Sequence, residues 1–147
     1  MVTTITNIDN KLYLSGFIED YSELSKLRIT AVVNCCIEQH DNICELTRRN
    51  IAYYYLPVAD AMAPRRDQIQ TFLSICKKVE GKILVHCALG VGRSAFYAVS
   101  YLVDIRNQKL EKAIMHLIKM RPYVCFNQTQ EDKLLKLYDN EHKKGKK

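Results

Sequence analysis

Apolar residues recur along this chain with two periods, and the change from one to the other marks out its elements. Short alternating or continuous apolar runs predict strands at residues 31–34, 51–56 and 82–86, with a hairpin over about residues 4–14. Helical spacing predicts helices near residues 21–27, 42–49 and 67–79. In the last of these Ile69, Phe72, Leu73, Cys76 and Val79 share one face, and Gly81 stands where a glycine often ends a helix. Asp67 with Gln70 three residues on reads as its capping box. Residues 95–103 are almost wholly apolar and predict a buried helix. Two more helices, near 111–120 and 129–141, close the chain. In the first of these Ala113, Ile114, Leu117 and Ile118 form the expected core face, with His116 on the surface. Strands alternating with helices imply an α/β fold: a single domain with a central, mostly parallel sheet flanked by helices. Such sheets bind ligands at the carboxyl ends of their strands.

Composition narrows the class. The chain has 147 residues, 48% of them hydrophobic, which suits one domain with a real core. There is no internal repeat, linker or low-complexity insert. No apolar run approaches a membrane span. The first residues lack the basic and apolar segments of a secretory signal, so an intracellular, cytoplasmic location is expected, with the nucleus open. Six cysteines follow no zinc spacing and would stay reduced inside a cell. Net charge is +6, from 22 Lys and Arg against 16 Asp and Glu, partly from a basic tail expected at residues 143–147 after a single domain over 1–142. That charge would draw phosphorylated partners. Nucleic acid stays open but is not favoured, and a monomer is expected.

The candidate chemistry lies between the strand at 82–86 and the helix after it. His86-Cys87-Ala88-Leu89-Gly90-Val91-Gly92-Arg93-Ser94 fits H-C-x-x-G-x-x-R-S. A strand, a tight glycine-containing loop and a helix start form an anion site from backbone N–H groups. Here Ala88, Leu89, Gly90, Val91 and Gly92 would supply it. Gly90 and Gly92 let the loop curl, through positive φ or close approach. Cys87, in that field and beside Arg93, is expected to be a thiolate at neutral pH. Arg93 offers a planar fork that suits phosphate oxygens. Ser94 can donate to the thiolate. His86 would point away from the pocket and orient the loop.

A phosphate-cysteine mechanism needs an acid for the leaving oxygen and a base for water. Asp60, in a loop of small residues after the strand at 51–56, is the favoured candidate, and Asp67 is the rival.

These residues resemble the cysteine-dependent protein phosphatases, in particular the small atypical dual-specificity group. The resemblance extends to Leu12-Tyr13-Leu14-Ser15-Gly16, Ala31-Val32-Val33-Asn34, Pro57-Val58-Ala59-Asp60 and Arg121-Pro122. It implies a dual-specificity-phosphatase-like fold and phosphorylated proteins as substrates. It also implies a two-step reaction through a phosphocysteine on Cys87, with Asp60 as acid and then base, and neither metal nor cofactor. It further suggests a water-positioning glutamine at Gln130, with Gln128 as alternative. Finally, it suggests a reversible disulfide between Cys87 and Cys36, with Cys35 as alternative. Three other readings of the same chemistry stay open: an RNA 5′-phosphatase, a phosphoinositide phosphatase with Arg65 and Arg66 supplying charge, and a phosphopeptide-binding module with little turnover.

Overall fold

The computed structural model describes residues 4–139. The expected domain end at residue 142 and the basic tail lie outside the described residues. Five strands form one sheet in the order β1-β2-β5-β3-β4, over Thr6–Asn7 (β1), Leu12–Ser15 (β2), Ile29–Cys36 (β3), Ala52–Val58 (β4) and Lys82–His86 (β5). Among the described residues only the β1–β2 pair is antiparallel. The helices are α1 (Tyr21–Lys26), α2 (Ile43–Arg48), α3 (Arg66–Lys78), α4 (Arg93–Asp104), α5 (Leu110–Met120) and α6 (Gln128–Leu134), the last running on as a π-turn over Leu135–Asp139. The expected mostly parallel α/β sheet is the observed one.

Strand periodicity divides the core into two layers. Leu12, Leu14, Ala31, Val33, Ile83 and Val85 point to the larger layer, where they pack on Phe72, Phe96, Tyr97 and Leu117 of α3, α4 and α5. Tyr13, Val32 and Leu84, the intervening residues, face the smaller layer with Leu24 of α1 and Leu46 of α2. α4 is buried along most of its length because it crosses the middle of the larger layer, which explains its nearly unbroken apolar sequence.

Several boundaries depart from expectation. β3 runs on to Cys36, and β4 runs through Pro57 to Val58. The proline is tolerated because β4 is an edge strand. α3 begins at Arg66, and the side chain that caps it is Gln68, whose Oε1 accepts from Arg65 N at 3.0 Å; Asp67 instead pairs with Arg65. Gly81 is not a left-handed helix cap. It leaves room for Thr30, whose side chain an added Cβ would run into. On α5 the buried face is Leu110, Ala113 and Leu117, while Ile118 is exposed. His116 is half-buried rather than superficial, because its Nε2 bonds the Ile8 carbonyl at 2.9 Å.

Candidate active site

Cys87 directly follows β5, the central strand, and the loop 88–92 carries the chain into the first turn of α4. Ser94 Oγ lies 3.1 Å from Cys87 Sγ, and Gly90 N donates to the sulfur at 3.3 Å. Gly90 has φ +71°, the conformation that turns its N–H inward and that a side chain would strain. These contacts hold the Cys87 thiol well below its ordinary range. The hydrogen bond from Cys35 contributes most, then the Ser94 hydroxyl and the N–H groups of Ser94 and Gly90, all against the opposing effect of burial.

Arg93 is buried and its end is held. Nη1 donates to Glu38 Oε1 at 2.7 Å and to the Val58 carbonyl at 2.9 Å, while Nη2 donates to Glu38 Oε2 at 2.8 Å. The fork–fork pair pulls the Glu38 carboxyl down to about 2 and raises the Arg93 guanidinium further. Glu38 thus takes the Nη1–Nη2 edge. The Nε–Nη2 edge is the one left to meet an oxyanion.

Asp60 stands above this, 89% exposed, with Oδ1 3.7 Å from Arg93 Nη2. The loop that carries it is tied to the start of α6: Asn127 Nδ2 donates to the Ala61 carbonyl at 2.8 Å, and Gln130 Nε2 to that of Met62 at 3.2 Å. Gln130 also completes the α6 cap, where its Oε1 accepts from Asn127 N and its own N–H donates to Asn127 Oδ1. Gln130 is buried and lines the pocket beside Gly92, whereas Gln128 turns away to Asp132. Asp67 is exposed on α3 and does not line the pocket.

His86 faces away from the pocket. Its Nε2 donates to the buried Asp41 carboxylate at 2.6 Å, and its Nδ1 lies 3.3 Å from the Cys87 carbonyl. The two candidate redox thiols part company. Asn34 pairs with His86 across β3 and β5, so the next residues, Cys35 and Cys87, turn to the same layer. Cys35 Sγ reaches the His86 carbonyl at 3.0 Å and hydrogen-bonds Cys87. Cys36 bonds Glu38 and lies near Arg93, whereas the thiol that bonds the nucleophile candidate is Cys35.

Cys87, Ala88, Leu89, Val91, Gly92 and Arg93 line one pocket of about 420 Å³ with Glu38, Asp60 and Gln130. That is room for a phosphate and the group that carries it. A thiolate at the floor, inward N–H groups, a fixed cation and an overhanging carboxylate can perform nucleophilic displacement at phosphorus. Among the described residues no group of three or more His, Cys, Asp or Glu could hold a metal ion.

A family model for the dual specificity phosphatase catalytic domain matches residues 12–140. The chain belongs to this family. Dual specificity protein phosphatase 21 of Homo sapiens is 29% identical to the phosphatase domain, over 95% of this chain and 76% of its own length. Dual specificity protein phosphatase 18 of Pongo abelii is 30% identical, over 84% of this chain and 66% of its own. Tyrosine-protein phosphatase vhp-1 of Caenorhabditis elegans is 28% identical over 92% of this chain, which spans 21% of that protein. Among solved structures, Tk-PTP in its active form superposes with a TM-score of 0.79 at 28% identity, covering 92% of this chain and 96% of that one.

The phosphatase domain holds groups that the sequence reading missed. Glu38 and Asp41 follow the carboxyl end of β3, where a sheet of this kind places its ligands, and that position was the available signal. Asn127 left a fainter one: an asparagine three residues before a glutamine, at a helix start.

Proposed function

We propose that this domain hydrolyses phosphate monoesters on protein side chains, phosphotyrosine first and phosphoserine and phosphothreonine as well. The observation that carries this reading is Cys87 Sγ on the pocket floor, within 3.1 Å of Ser94 Oγ and 3.3 Å of Gly90 N, under Arg93 and Asp60. In the first step Cys87 attacks phosphorus, Arg93 and the loop N–H groups hold the equatorial oxygens, and Asp60 gives a proton to the leaving oxygen. In the second, water displaces the sulfur with Asp60 as base, and the Ser94 hydroxyl stabilises the departing thiolate. Gln130, at the pocket wall, orients that water. Phosphoproteins are the proposed partners and the cell interior the proposed location, in keeping with six free thiols.

The test is turnover of phosphotyrosine, phosphothreonine and phosphoserine peptides, a phosphoinositide and 5′-triphosphorylated RNA by wild type and Cys87→Ser, with chelator present. Cys87-dependent release from the peptides supports the reading. Release confined to lipid or RNA overturns the substrate, and no release overturns the enzyme.

A further inference from the structure

Among the described residues Arg121 is the largest fully buried side chain, 1% exposed, at the carboxyl end of α5. The mechanism above does not use it. Its guanidinium lies behind the catalytic loop, on the side away from the pocket. Nε donates to the Gly90 carbonyl at 2.9 Å, and Nη2 to the Leu89 carbonyl at 3.1 Å. Nη1 reaches the amino-terminal hairpin, donating to the Thr4 carbonyl at 2.7 Å and Thr6 Oγ1 at 2.9 Å.

The two loop carbonyls matter because of what lies at the other end of each peptide. The Leu89 carbonyl and the Gly90 N–H belong to one planar unit, in which they point in opposite directions. That N–H is the one donating to Cys87 Sγ at 3.3 Å. The Gly90 carbonyl shares the next unit with the N–H of Val91, a residue lining the pocket. A cation on a carbonyl draws electron density across the amide and strengthens the N–H as a donor. Gly90, at φ +71°, is the residue between the two units, and an added Cβ there would lie 2.7 Å from Arg121 Nη2. Cation and glycine therefore occupy complementary space.

We propose that Arg121 is a positioning residue for the catalytic loop: by holding the Leu89 and Gly90 carbonyls from behind, it aims and polarises the Gly90 and Val91 N–H groups toward the Cys87 sulfur and the bound oxyanion. This rests on Cys87 being the nucleophile. It adds that the anion site is set from outside the loop, by a residue more than twenty-five positions downstream of it.

The experiment measures Cys87 alkylation by iodoacetamide against pH, and vanadate affinity, in wild type, Arg121→Gln, Arg121→Lys and Leu24→Ala. Leu24 is buried in the other core layer, so its truncation destabilises the fold without touching the loop. In Arg121→Gln the half-point of alkylation should rise by about one pH unit or more, and vanadate should bind roughly tenfold more weakly. Arg121→Lys should recover only part of both, since one ammonium cannot span two carbonyls. Leu24→Ala should lower the melting temperature and keep the wild-type titration. Wild-type alkylation in folded Arg121→Gln would overturn the proposal, as would an equal shift in Leu24→Ala. Alkylation does not require turnover, so failure here is distinct from failure of the enzymatic reading, which Cys87→Ser tests.

Discussion

Glu38→Gln removes the charge that grips Arg93 while keeping the shape of the side chain. Arg93 is 4% exposed and Glu38 44%, and two bonds of 2.7 and 2.8 Å join them. Exposed pairs contribute at most about 1 kcal/mol, and breaking a fully buried pair costs about 3–5 kcal/mol. A pair open to water at one end falls between, at about 2 kcal/mol after solvent screening. The amide can accept one of the two bonds, but it sets its own N–H₂ donors against the guanidinium. The melting temperature should therefore fall by about 6 °C, and vanadate should bind roughly tenfold more weakly as the Nε–Nη2 edge loses its orientation. The pH dependence supplies the sign. Glu38 titrates at about 2 in the folded protein against 4.5 ordinarily, so its contribution is full above about 4.5 and disappears as the pH falls through 2. The stability gap between wild type and variant should be flat from pH 5 to 7 and close toward pH 2. Calorimetry across that range with vanadate competition at pH 7 measures both. A gap that persists at pH 2, or unchanged affinity with unchanged stability at pH 7, would refute the reasoning.

Asp60→Asn should slow phosphotyrosine-peptide turnover by roughly 100-fold, with much less effect on an activated aryl phosphate that leaves without a proton; equal losses on both would show that Asp60 is not the acid. Asp41→Asn strips the carboxylate from a fully buried imidazole and should cost about 1–3 kcal/mol of stability, read in urea unfolding; an unchanged midpoint would mean that the 2.6 Å contact contributes nothing. Peroxide should take the Cys87 thiolate to a sulfenic acid, which condenses with the Cys35 thiol to a disulfide and releases water. Peptide mapping should find that bridge in Cys36→Ser and lose it in Cys35→Ser, and a bridge to Cys36 in the oxidised wild type would contradict the facing inferred from the strand register.

Much of the fold is local in origin, and that part was legible. The apolar run at 82–86 and the long apolar stretch after Arg93 identify the central strand and its helix because both are buried on all sides. The loop between them is contiguous, so its anion site could be read from order alone. The remainder depends on facing. Cys35 and Cys36 differ by one step along a strand whose side chains alternate, and only pairing of Asn34 with His86 decides which faces Cys87. Glu38 and Asp41 are polar residues in a loop, indistinguishable in sequence from solvated ones until Arg93 and His86 arrive from across the sheet. Gly81 was misread because the constraint on it is Thr30, a neighbour in space rather than in the helix it follows.

The bond from Arg121 to Thr4 closes a span of 117 residues. During synthesis a growing chain carries Cys87, Arg93 and Asp60 well before Arg121 emerges, and contacts so distant in sequence form late. A ribosome-bound chain that already holds its nucleophile would still lack the group that orders the loop around it. Full reactivity of the thiol would then appear only once the chain through Arg121 is made and folded, so a nascent polypeptide that stops short of α5 carries a sulfur of nearer ordinary reactivity.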